Sequence, residues 1–70
     1  MMPLVFAETG KPQIIRKIGG SPEVKKHLED LGFTVRGEAS VVSTLGENLI
    51  VKVKESRVAL SDELARKIMV

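Results

Sequence analysis

The chain has no cysteine, no tryptophan and no tyrosine, and its 70 residues include one histidine and two phenylalanines. Each shortage removes a class of function. Without cysteine no disulfide can staple the fold and no thiolate can ligate a metal; the absence also fits a reducing compartment. Around the one histidine the sequence offers no recognisable Ser-His-Asp set, and without cysteine no Cys-His set, so no nucleophile has a credible base and the chain reads as a non-enzyme with no cofactor. It is also too short to enclose a pocket of the usual several hundred Å³. Small barrels that bind nucleic acid stack bases on aromatic rings, and proline-rich peptides dock in aromatic-lined grooves. Only Phe6 and Phe33 are available for either task, and both read as core. Nucleic acid is therefore not an expected partner.

Two further absences concern charge and hydropathy. Lys plus Arg is 11 and Asp plus Glu is 9, a net charge of +2. A polyanion-binding module carries a larger, clustered excess. No apolar run approaches the roughly 18 residues that cross a bilayer, so no membrane insertion is expected. The start, Met1-Met2-Pro3-Leu4-Val5-Phe6, has no positive charge and meets Glu8 early, unlike a signal peptide. A cytoplasmic location is the expectation.

What is present is enough for one domain, residues 1–70. A chain this short buries only about 60% of its unfolded surface. Domains of this size are commonly stapled or oligomeric, so weak self-association is expected.

Residues 4–7 form a short apolar run and Glu8-Thr9-Gly10-Lys11-Pro12 a turn cluster. The β-branched run 13–18 predicts one strand, with either Ile14 or Ile15 on the inner face beside Ile18. Gly19-Gly20 breaks it. Ser21 then suits an N-cap, Pro22 the first helical position and Glu23 the positive helix end. Val24, Leu28 and Leu31 make one apolar stripe. Gly32 stops the helix and Phe33 folds back as its clasp. Beyond Gly37 one strand places Ala39, Val41 and Ser43 on a common face, and the next so places Leu49, Val51 and Val53. Thr44-Leu45-Gly46-Glu47 fits a four-residue hairpin loop, and Glu55-Ser56 a tighter turn. A closing strand Arg57-Val58-Ala59-Leu60 points Val58 and Leu60 inward. Ser61 caps a last helix with Asp62 and Glu63 in its first turn, where Leu60, Leu64 and Ile68 recur every four residues. Five short strands, one inserted helix and a C-terminal helical turn predict a mainly β, small α+β fold. The architecture expected is an SH3-like, partly open antiparallel barrel, with an OB-type barrel as the alternative.

Two constellations are candidates for function. Glu23, His27 and Asp30 can share one helical face, and a histidine with two carboxylates suits a borderline or hard divalent ion. An ion-paired, solvated face explains the same residues more simply, so no metal site is assigned. Leu45 sits in a turn beside Gly46, where a polar residue would be cheaper. The plainer expectation is that it folds back over the barrel end. The alternative is an exposed anchor for a protein partner, with outward-pointing Arg57 as a charged rim contact.

The residues Leu28-x-x-Leu31-Gly32-Phe33, Gly37, Val41-Val42, Leu45-Gly46, Ile50-Val51-x-Val53, Arg57-Val58-Ala59-Leu60 and Ala65-x-x-Ile68 follow in an order that resembles the FeoA family. These are small accessory proteins of bacterial ferrous iron transport. The signature covers about two-thirds of the chain. Relatives often have glycine where this chain has Glu47 and Glu55. The resemblance implies an SH3-like barrel and a regulatory role beside FeoB, a membrane ferrous iron transporter whose cytoplasmic part is a GTPase. It supplies no metal ligands, because the matching positions are apolar or glycine. A related barrel forms the C-terminal domain of iron-dependent repressors, which leaves a second reading: a metal-responsive regulatory domain that binds a divalent transition metal ion directly.

Overall fold

Helix α1 spans Pro22–Asp30 in the computed structural model, which describes residues 1–70. Ser21 has extended backbone angles, and its hydroxyl accepts from the Val24 N–H at 3.2 Å. At the other end Gly32 takes φ 108°. The Gly32 N–H donates to the Glu29 carbonyl and the Phe33 N–H to the Leu28 carbonyl, each at 2.9 Å. This pair of bonds is the Schellman motif. It swings Phe33 into the core, where it is fully buried beside Leu28. Val24 and Leu31 pack against that core from its margin.

Strands β1 (Gln13–Ile14), β3 (Glu38–Leu45), β4 (Asn48–Val53) and β5 (Ser56–Ser61) form one sheet in the order β1-β3-β4-β5. Its register pairs Ala39 with Val53, Val41 with Val51 and Leu49 with Leu60, so the inward faces stack apolar residues across the ladder. A second sheet pairs β2 (Lys17–Ile18) with β6 (Ile68–Met69). Met2 extends it on the far side of β6, exchanging N–H···O bonds with Val70 at 2.8 and 2.9 Å. The short helix α2 (Asp62–Ala65) bridges β5 and β6, capped by the Ser61 hydroxyl at 3.2 Å from the Leu64 N–H. The result is the expected small α+β, antiparallel architecture, a barrel left open because no ladder joins β5 to the second sheet.

Six details depart from the sequence reading. The predicted strand 13–18 is two strands. The Ile15 N–H donates to the Gly37 carbonyl at 2.8 Å, and the Arg16 N–H to the Met69 carbonyl at 2.8 Å. The chain thus changes sheets at this point, and Ile15, not Ile14, turns inward. In β3 the register slips between Val41 and Ser43. This bulge leaves Val42 unpaired and rotates Ser43 to the outer face opposite Ile50. The β3–β4 connection has two residues, since Leu45 pairs with Asn48; Gly46 supplies the positive φ of 61° that such a turn requires. The next turn is Lys54-Glu55, one residue earlier than expected, with Lys54 at φ 55°. The last helix ends at Ala65, and Ile68 belongs to a strand; Ala65 is buried where Leu64 is only partly so. Phe6 is not core. It is 62% exposed, with the Arg66 guanidinium 5.5 Å from its ring centroid.

Candidate docking surface

The end of the β3–β4 hairpin is held, not loose. The Asp62 N–H donates to the Glu47 carbonyl at 3.0 Å, fastening the turn to the start of α2. Leu45, one residue before Gly46, is 70% exposed. It does not fold back over the barrel end, so the plainer expectation fails and the side chain is left in solvent. The reason is register. Pairing with Asn48 in a two-residue turn keeps Leu45 in the ladder, and the bulge at Val42 sets it on the outer face of the sheet.

Between this turn and α2 lies an open groove of about 610 Å³. Val5 and Leu49 contribute its apolar lining, and Glu47, Asp62 and Glu63 its carboxylates; no lysine or arginine lines it. One carboxylate is already engaged, since Asp62 Oδ2 lies 2.7 Å from Arg66 Nε. The sequence reading had missed the groove. Its signal was the acidic first turn after the Ser61 cap, but nothing local to that turn says that Glu47 lies across from it.

Arg57 does point outward from β5 and is exposed. It pairs with Lys52, however, while Leu45 pairs with Asn48. Four residues of β4 separate the two rows, roughly 13 Å at strand spacing. The structure therefore does not bring Arg57 to the rim of the Leu45–Gly46 patch.

Glu23, His27 and Asp30 lie on the exposed face of α1. Asp30 Oδ1 is 3.6 Å from Lys26 Nζ, an i,i+4 pair open to solvent. No three carboxylate or imidazole side chains converge anywhere in the molecule in the manner of a metal site. Calorimetric titration with zinc or ferrous iron is expected to give at best weak binding, and His27→Ala to remove whatever binding there is. Nanomolar affinity would restore the metal-responsive reading.

Comparison with known proteins bears on the whole chain. A family model described as the FeoA domain matches residues 2–70. A Methanocaldococcus jannaschii protein provisionally named Fe(2+) transport protein A is 31% identical over 70 residues, which are 100% of this chain and 85% of that protein. The crystal structure of an iron uptake regulatory protein, FeoA, superposes with a TM-score of 0.85 at 25% identity, covering 96% of this chain and 89% of that one. A manganese-dependent transcriptional repressor superposes with a TM-score of 0.83 at 16% identity, over 94% of this chain and 38% of its own. At that identity the repressor shares the fold alone.

Proposed function

The chain belongs to the FeoA domain family, and from that membership we propose that it is an accessory protein of ferrous iron uptake that docks on the cytoplasmic GTPase part of a FeoB-like transporter. The observation that carries the docking is Leu45. A large aliphatic side chain standing in solvent beside a turn held in place offers an anchor for a partner's apolar pocket. A few such anchors supply most of the energy of an interface. The turn beside it is already fixed by the Asp62–Glu47 bond, so little conformational entropy remains to be lost on docking. The glycine at the turn keeps the approach to that anchor free of side chains.

The test is binding of the full chain to the isolated GTPase domain, measured by calorimetry alongside thermal melting. Leu45→Asp is expected to leave the melting temperature nearly unchanged and to weaken binding by about 2 kcal/mol, roughly thirtyfold. A large loss of stability would place Leu45 in the core, and undiminished affinity would move the docking surface elsewhere.

A further inference from the structure

Strand β5 is the long free edge of the four-stranded sheet. The opposite edge, β1, has two residues, and the chain beyond it is tied to Arg36 and Gly37 by backbone bonds of 2.7 and 2.8 Å at Ile15. By contrast β5 runs six residues in unbroken register with β4, from Ser56 opposite Val53 to Ser61 opposite Asn48. Alternate backbone N–H and C=O groups of such a strand point away from its neighbour. For residues 56–60 none of these groups has a backbone or side-chain partner beyond the β4 ladder. Natural edges are blunted by proline, bulges, several charges or a covering segment. β5 has no proline, its pairing with β4 has no bulge, and Arg57 is its one charge.

A second feature lies on the same edge. Lys52 and Arg57 are directly opposed on the outer face, in a row that begins at Ser40. Like charges in that relation destabilise a sheet. Neither forms an ion pair, since the two salt bridges of the molecule are Lys26–Asp30 and Arg66–Asp62; Glu38, which lines the same pocket as Lys52, lies on the β3 side of the row, away from the open edge. The row thus ends at an open edge with two unpaired cations side by side, Arg57 outermost. A strand laid on β5 would continue that row, and its next side chain would fall beside Arg57.

We propose that β5 is a strand-addition site for an extended segment of a partner protein, antiparallel to β5 and carrying an aspartate or glutamate in register with Arg57. It rests on the reading above for which protein supplies the strand, and on the edge itself for the recognition. A second copy of β5 aligned over its own six residues does not supply the acid. Ser-Arg-Val-Ala-Leu-Ser contains no carboxylate, so self-pairing within Ser56–Ser61 sets none beside Arg57.

The probe is a synthetic extended peptide of alternating threonine and valine with one central glutamate, titrated into the isotope-labelled full chain. A lysine counterpart and a backbone N-methylated version serve as controls. The glutamate peptide is expected to shift the amides of residues 56–60 and protect them from exchange. The lysine peptide is expected to bind about tenfold more weakly, and the N-methylated one not at all. Arg57→Glu, at an exposed position, should reverse the preference while leaving the melting temperature in place. Unshifted β5 amides at millimolar peptide, equal binding of both charges, or self-association through β5 would each overturn the proposal. The GTPase domain forms the second arm. A domain that binds yet leaves β5 unprotected and ignores Arg57→Glu overturns the proposal for that partner while the Leu45 docking survives. A domain that does not bind at all ends the docking reading, and the peptide titration then decides the edge by itself.

Discussion

Phe33→Ala is expected to unfold the domain. Phe33 is the largest fully buried side chain, and it enters the core from the Schellman turn at Gly32, so its removal both empties a cavity and loosens the end of α1. Phenylalanine-to-alanine changes in cores cost about 3–5 kcal/mol. At roughly 0.05–0.15 kcal/mol per residue, a domain of this length has on the order of 4–10 kcal/mol in total. Circular dichroism should show a collapsed or absent melting transition. A transition close to that of the parent chain would mean that Phe33 does not anchor the helix to the barrel. Leu31→Ala makes the contrast. The stripe Val24, Leu28, Leu31 treats Leu31 and Leu28 as equals, yet Leu31 is only partly buried, so its truncation should cost visibly less than Leu28→Ala.

The helix was legible because everything that defines it is local. Ser21, Pro22, Gly32 and Phe33 act within one turn of the helix ends, and each does in the structure what its chemistry says. The alternation of Leu49, Val51 and Val53 was legible for the same reason, because a strand with one buried face writes that face into the sequence at every second position. Strand β6 was not legible. Leu60, Leu64 and Ile68 recur at helical spacing, but Ile68 is placed by hydrogen bonds to residues near the other end of the chain, and no local pattern encodes such a partner. Phe6 misled for a different reason. Its size argues for burial, whereas the adjacent Leu4, fully buried, takes the interior place in the 3-10 turn Leu4–Phe6, and Phe6 is left to pack under Arg66.

The candidate surface divides along the same line. Leu45 was recognisable as an anomaly, an apolar residue where a turn wants a polar one. Its company was not, because the groove carboxylates and the distance to Arg57 follow from strand register, and the bulge at Val42 shifts that register by a residue. The Lys54 turn illustrates the limit well. A tight turn at Glu55 without glycine implies a costly positive φ, but which residue bears it depends on the pairing of Val53 with Ser56.

Ile15→Asp and Ile14→Asp are expected to differ by nearly the full stability of the domain. The two residues are adjacent and identical in chemistry, and the sequence cannot rank them. Ile15 is fully buried, its N–H and C=O both bonded to the Arg36-Gly37 segment, whereas Ile14 is 50% exposed at the sheet edge. An aspartate at position 15 must either ionise inside the core or be protonated there. An uncompensated buried charge costs several kcal/mol even after relaxation, and the protonated acid still leaves polar groups without partners. Added to the lost apolar contacts, this exceeds what so small a domain can absorb. At position 14 the carboxylate reaches water, and the change should fall within about 1 kcal/mol, as substitutions at exposed sites do. Urea titration of both variants reads the difference directly. A folded Ile15→Asp chain, or comparable losses at both positions, would mean that the chain does not cross between the two sheets at Ile15.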